Sequence, residues 1–113
     1  EPELTIEQRA ASPDVEAERL KQAIDRVKEA VRQMAAGMQD HPEEAAIFEA
    51  HLMMLDDPDL LALAQTRLDS GAEYAWDSAI QHYAAQLEVL ESEYFQARAA
   101  DVRDIGQQVL REL

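Results

Sequence analysis

The sequence contains no cysteine, few basic residues and no long apolar run, and each of these shortages excludes a class of protein. Without cysteine the chain has no disulfides, no thiolate nucleophile and no Cys-based zinc site, a composition that suits a reducing cytoplasm. No stretch approaches the roughly 20 apolar residues of a membrane span, and no signal sequence is visible. We therefore expect a soluble cytoplasmic domain.

The scarcity of positive charge says most about possible partners. Ten Lys and Arg stand against 24 Asp and Glu, which gives a formal net charge of −14 at pH 7. So acidic a chain repels phosphate backbones and anionic lipid headgroups, which argues against nucleic acid and against a membrane surface. A basic protein is the kind of partner that this charge favours.

Glycine and proline are also scarce, whereas residues that favour helices dominate. The 113 residues are enough for one domain. Apolar residues alternate at spacings of three and four in two long segments, which predicts amphipathic helices, and no segment shows strand alternation. The chain is therefore predicted to be an all-α helical bundle. The two apolar stripes are Leu20, Ile24, Val27, Val31, Met34 and Met38, and then Trp76, Ile80, Tyr83, Leu87, Leu90, Tyr94 and Ala97.

Prolines mark the expected helix starts. Ser12-Pro13, Asp40-His41-Pro42 and Asp57-Pro58 each place a possible capping side chain before a proline at the first helical position. Ser70-Gly71 is expected to close a short helix through Leu68. We assign residues 1–13 to a flexible arm or linker remnant and residues 14–113 to the helical domain.

One short segment combines apolar character with a single sign of charge. Residues 34–65 contain seven Asp and Glu and no Lys or Arg. At about 100° per residue, the helix in this segment carries one apolar stripe with Phe48, Leu52 and Leu55. A second stripe beside it contains Glu43, Ile47, Ala50, His51 and Met54. Two stripes need two neighbours, which are either other helices of the bundle or, on one side, a partner protein.

Two separated blocks of sequence resemble one known family. Residues 43–60 read EEAAIFEAHLMMLDDPDL, which is similar to the phosphocarrier-binding helical subdomain of enzyme I of the phosphotransferase system. Residues 92–106 read SEYFQARAADVRDIG, which resembles the segment at the end of the same subdomain. The resemblance covers about residues 14–113. The positions of the second block in register with the family are Tyr94, Arg98, Asp101, Arg103, Asp104 and Gly106.

The resemblance alters the fold that periodicity alone predicts. Unbroken spacing from Trp76 to Ala97 favours a single helix, but the resemblance implies a break near residues 91–93, where Ser92 is able to cap a new helix. With the break, the architecture becomes two antiparallel helical hairpins. They contain about four main helices, the second of which is split into two short ones.

The resemblance also implies a function. In the family this helical unit holds the small histidine-containing phosphocarrier protein HPr, while an adjacent α/β subdomain carries the histidine that takes phosphate from phosphoenolpyruvate. Docking makes the transfer nearly intramolecular. Nothing in this sequence resembles the family's Gly-Gly-x-x-Ser-His active-site segment, so no catalytic residue and no autophosphorylation are expected here. Mg²⁺ is implied for the parent enzyme, and no cofactor for this domain.

Nine positions match the family's phosphocarrier contact. Met53, Met54 and Leu60 would supply apolar contact, and Glu43 and Asp59 would pair with basic groups of the partner. The full set implied by the resemblance is Glu43, Ala46, Ile47, His51, Met53, Met54, Asp59, Leu60 and Arg98.

Structural explanations compete with several of these functional ones. The ring of His51 is also suited to packing at the edge of the bundle with a satisfied nitrogen. Arg98 would anchor a polar edge of the contact, or would merely pair with acids on neighbouring turns. Trp76, Tyr83 and Tyr94 lie on the regular stripe, and for these core packing is favoured.

Two alternatives belong to other functional classes. A carboxylate-bridged dimetal bundle uses Glu-x-x-His on two helices, but Glu49 and His51 are only two apart, and neither His41 nor His82 has a Glu three positions earlier. That enzyme class is disfavoured. An acidic helical adaptor unrelated to the phosphotransferase system remains open, and it predicts no binding to the phosphocarrier.

Overall fold

The computed structural model describes residues 12–113, and all regular secondary structure in that range is helical. The prediction of an all-α helical bundle is confirmed. Residues 1–11, most of the predicted arm, lie outside the described range. Within it the elements are α1 (Pro13–Ala36), α2 (Pro42–Leu55), α3 (Pro58–Gln65), a 3₁₀ turn (Leu68–Ser70), α4 (Ala72–Glu88) and α5 (Glu93–Glu112).

The three helix starts predicted from proline are observed at Pro13, Pro42 and Pro58. Ser12 Oγ accepts a hydrogen bond of 3.4 Å from a backbone N–H three residues later. Asp57 Oδ1 accepts one of 2.8 Å from a backbone N–H two residues later. The expectation of a side-chain cap at the second start is wrong, because α2 begins without one.

The end of α3 differs from its prediction, whereas the break after α4 lies where it was predicted. Helix α3 ends at Gln65, earlier than expected, because the chain tightens into the 3₁₀ turn and leaves it through Gly71 at φ 99°. The predicted break after α4 is present. Glu91 adopts a φ of 53°, and Ser92 Oγ accepts a hydrogen bond of 3.2 Å from the N–H of Tyr94 at the start of α5.

The helices form two hairpins, α1–α2 and α4–α5, with α3 packed on α4. Contacts in the second hairpin run in opposite chain directions, since Trp76 meets Gly106 and Gln81 meets Arg103. Every helix contributes to one core, which includes the first four members of the α1 stripe. The core side chains include Leu20, Ile24, Val27 and Val31 from α1, Leu55 from α2, Leu60 from α3, Trp76 and Ile80 from α4, and Val102, Ile105 and Val109 from α5.

Helices α4 and α5 approach most closely at Gly106. The indole Nε1 of the fully buried Trp76 donates a hydrogen bond of 3.0 Å to the Gly106 carbonyl oxygen. A Cβ at this glycine would lie only 2.9 Å from both Cγ atoms of Ile80. The position therefore requires glycine for space, since its backbone is ordinary helix.

A buried carboxylate joins the start of α1 to the start of α4. Glu16 is 1% exposed, and its Oε1 accepts hydrogen bonds from the N–H of Ala72, at 2.7 Å, and from Arg19 Nη1, at 2.8 Å. Arg19 also reaches Glu73 at 2.8 Å. The carboxylate thus supplies the α4 N-terminus with an acceptor and with negative charge at the positive end of its dipole. None of the helices within residues 12–113 has the length and apolar character needed to cross a membrane.

Candidate docking surface

A groove of about 260 Å³ opens where the end of α2 meets the α4–α5 turn. We call it the α2–α5 groove. Its walls are mainly apolar, with one carboxylate, one guanidinium and two phenol groups among them. The lining residues are Ala50, Met53, Met54, Asp57, Tyr83, Leu87, Tyr94, Phe95, Arg98 and Val102.

Helix α2 is covered on one side and open on the other. Leu55 is fully buried, and Phe48 and Leu52 pack against the core, so this predicted stripe faces the bundle. On the uncovered side Ile47 is 50% exposed and Met53 is 74% exposed. The bundle therefore leaves an apolar flank of α2 in solvent, the arrangement expected of a contact surface.

The nine predicted contact residues differ in position and in exposure. Met53 and Arg98 line the groove, together with Met54, which is only 9% exposed. His51 is partly buried and does not line the groove. Leu60 is fully buried in the core, so it does not offer the surface contact predicted for it, because the first turn of α3 directs it inward. The exposed positions outside the groove are Glu43, Ala46, Ile47 and Asp59.

The surroundings of His51 agree only in part with the expected packing at the edge of the bundle with a satisfied ring nitrogen. Its ring packs edge-on against Phe48, with centroids 6.3 Å apart and planes at 80°. Its Nε2 atom, however, is buried and has no hydrogen-bond partner among the described residues. The satisfied ring nitrogen that was expected is not found in this part of the chain.

The α5 wall of the groove is aromatic and was missed from the sequence. Tyr94 is 60% exposed, so its predicted core position is wrong. Its ring lies edge-on to Phe95 at 5.1 Å, and the Arg98 guanidinium carbon lies 5.4 Å from the Tyr94 ring centroid. Arg98 also pairs with Asp101 at 3.6 Å. Arg98 is therefore paired within α5 and still partly accessible to solvent at the edge of the groove.

Tyr83 combines the core role predicted for it with a polar contact. Its hydroxyl donates a hydrogen bond of 2.5 Å to Asp57 Oδ2. Burial of the phenol, followed by this bond and the charges of Asp57 and Asp59, raises the pKa of Tyr83 to about 12. Tyr83 is therefore a neutral donor at physiological pH. Trp76, by contrast, is fully buried as predicted.

Carboxylates surround the apolar flank of α2. Glu43, Glu44, Glu49 and Asp59 are all exposed, and the sequence around them carries no Lys or Arg. Lys28 reaches the end of α2 from α1 and pairs with Asp56 at 2.5 Å. The surface therefore combines apolar contact area with excess negative charge, which complements a basic partner.

The resemblance implies Mg²⁺ for the parent enzyme. Within residues 12–113, no group of three or more His, Cys, Asp or Glu side chains is positioned to bind a metal ion. The carboxylates around α2 are spread along the surface, and we assign no step to a metal in this domain.

Comparison with known proteins decides the family. The family described as "PEP-utilising enzyme, N-terminal" matches residues 2–98 of this chain. The chain belongs to this family. Relatives of this PEP-utilising enzyme domain include proteins named phosphoenolpyruvate-protein phosphotransferase from Geobacillus stearothermophilus, 39% identical over 99% of the chain, and from Priestia megaterium, 36% identical over 99%. The chain spans about a fifth of the length of these curated relatives.

A solved structure supports the same assignment of the PEP-utilising enzyme domain. A solution structure of Enzyme I (nEIt) matches with a TM-score of 0.84 at 27% sequence identity. The match covers 91% of this chain and 44% of that one. The resemblance read from residues 43–60 and 92–106 is thereby confirmed at the level of family and fold.

Proposed function

We propose that this domain docks the histidine-containing phosphocarrier protein HPr. Docking would serve phosphoryl transfer from a histidine that lies outside this chain, in a phosphoenolpyruvate-dependent protein phosphotransferase. The observation that carries the proposal is the apolar flank of α2, open beside the α2–α5 groove and ringed by carboxylates. Met53, at 74% exposure, is its most exposed apolar side chain.

The dimensions of this surface suit a protein partner. Helix α2 has 14 residues, which at 1.5 Å per residue is about 21 Å. A standard interface covers about 800 Å² on each partner, equivalent to a disc about 32 Å across. The α2 flank thus spans about two-thirds of such a disc, and the first turns of α5, with Tyr94 and Arg98, extend it. Aromatic and Met side chains with an Arg are the types enriched at such contacts.

Charge and proximity give the surface its role. The carboxylates would attract a basic face of the partner and raise its association rate, while the apolar flank would hold the complex after encounter. The domain's contribution to catalysis would be to keep the partner's histidine near the donor, since fixed geometry lowers the barrier of a bimolecular step. The proposal includes a neighbouring subdomain that carries the phosphohistidine. It also includes Mg²⁺ in the parent enzyme and a cytoplasmic location.

Titration of the chain with purified HPr, followed by backbone amide shifts, tests the proposal. We expect shifts concentrated at residues 43–59 and 94–98, with the remainder of the domain unchanged. An acidic adaptor unrelated to the phosphotransferase system predicts no shifts. An unchanged spectrum with HPr at millimolar concentration would refute the docking role.

A further inference from the structure

The turn between α2 and α3 is held from two sides by consecutive carboxylates. Asp56 accepts a hydrogen bond of 2.5 Å from Lys28 Nζ of α1. Asp57 accepts one of 2.5 Å from the Tyr83 hydroxyl of α4. This turn lies between Met53 and Asp59, so its position determines how the apolar and the acidic parts of the docking surface sit relative to each other.

Both carboxylate oxygens of Asp57 have a partner. Oδ1 accepts from the N–H groups of Asp59, at 2.8 Å, and Leu60, at 3.5 Å, and so caps α3. Oδ2 is held by Tyr83. Because one rigid carboxylate joins the two contacts, the Tyr83 hydroxyl fixes the start of α3 relative to α4. Asp57 and Tyr83 also both line the α2–α5 groove.

A phenol suits this place better than a cationic donor would. Lys or Arg at position 83 would satisfy Asp57 but would also cancel part of the negative charge offered by Asp57 and Asp59. Phe would leave a partly buried carboxylate oxygen without its donor. Tyrosine supplies the hydrogen bond and preserves the acidic surface, since it is neutral at physiological pH.

We infer that Tyr83 is a positioning residue of the docking surface: by holding the Asp57 carboxylate, its hydroxyl sets the α2–α3 turn so that Asp59 and Met53 meet the partner together. The inference rests on the proposed function. Tyr83 lines the groove and acts through Asp57, so its role is to set the geometry that the partner meets.

The first test is Tyr83→Phe, with HPr affinity measured by calorimetry. This variant keeps the ring and removes only the hydroxyl. We expect the dissociation constant to rise about fivefold, less than the full value of a hydrogen bond to a charged group, because the hydroxyl acts on binding only through Asp57. Tyr74→Phe is the matched control, because Tyr74 is 59% exposed on the same helix and does not line the groove. We expect the control to bind like the wild type.

A double-mutant cycle with Asp59→Asn separates positioning from general stability. If Tyr83 places Asp59, then Asp59→Asn costs less affinity in the Tyr83→Phe background than in the wild type. If Tyr83 only stabilises the fold, the two fold-changes multiply. The free Tyr83→Phe protein should also show altered amide shifts at Asp59 and Leu60.

The possible outcomes distinguish failure of the positioning role from failure of docking. Binding of Tyr83→Phe within twofold of the wild type, or multiplying fold-changes, would overturn the positioning role while docking stands. Absence of HPr binding by the wild type would overturn docking itself, and the positioning role with it. Should Tyr83→Phe lose helical circular dichroism, Asp57→Ser repeats the test, since a serine retains the cap but offers Tyr83 no second oxygen.

Discussion

Two adjacent methionines at the end of α2 give opposite predictions when each is replaced by glutamate. Met53 is 74% exposed and Met54 is 9% exposed, although both line the α2–α5 groove. The same substitution at neighbouring positions therefore tests the surface at one and the core at the other. Combining the two would mix these effects, so they are best measured singly.

The expected magnitudes follow from these exposures. Met53→Glu removes little buried area from the free domain, so the free energy of unfolding should change by no more than about 0.5 kcal/mol. In a complex that covers this side chain, about 1.5–3 kcal/mol of apolar burial would be lost, and the dissociation constant for HPr should rise about tenfold to a hundredfold. Met54→Glu should instead lower stability by about 4 kcal/mol or more, because it removes that burial and places a carboxylate in an apolar site.

Urea unfolding monitored by circular dichroism, and HPr binding followed by calorimetry, measure the two quantities. Met34→Glu is the matched control, because Met34 is 43% exposed on α1 and does not line the groove, and it should leave HPr binding unchanged. Undiminished binding by Met53→Glu would refute docking through the α2 flank. A Met54→Glu protein as stable as the wild type would refute the assignment of Met54 to the core.

Two further predictions concern the helix contacts that support the surface. Gly106→Ala should lower the free energy of unfolding by about 2 kcal/mol, because the new methyl group would lie 2.9 Å from Ile80 atoms. An Ile80→Ala background should reduce that loss. Equal losses in both backgrounds would refute the steric reason. Glu16→Ala should cost about 3 kcal/mol in thermal or urea unfolding, because it removes a buried acceptor from the start of α4 and a partner from Arg19. Glu18→Ala, at an exposed position two residues away, should cost less than about 0.5 kcal/mol, and a similar loss in both variants would contradict the buried cap.

Local patterns predicted the helices well because their causes are local. The proline-based starts, the buried stripe of α1 and the covered stripe of α2 all follow from spacing and capping within a few residues. The exposed flank of α2 was predicted only in part by the second stripe, since Ile47 on that stripe is exposed, whereas Met54 is buried and the exposed Met53 lies off it. What spacing alone left open was whether that stripe met a helix or solvent, since this depends on where α4 and α5 lie.

The errors arise where distant parts of the chain decide. Tyr94 continues the α4 stripe in sequence, but the turn after Glu88 reorients the chain and places this ring on the groove wall. Leu60 matches a family contact position, yet the Asp57 cap directs it into the core. The buried cap formed by Glu16 depends on Ala72, 56 residues away, and no local pattern indicates it.

The hydrogen bond from the Ala72 N–H to Glu16 holds the first residue of α4, and this has a consequence for the other end of the helix. Its 17 residues form a rod about 26 Å long, with Glu16 bound at the start and Leu87 bordering the groove in the last turn. A tilt of about 5° at the fastened end would carry Leu87 about 2 Å sideways over that length. Substitutions far from the partner can therefore change the width of the α2–α5 groove. A change in affinity for the partner need not be caused by a residue that lines this groove.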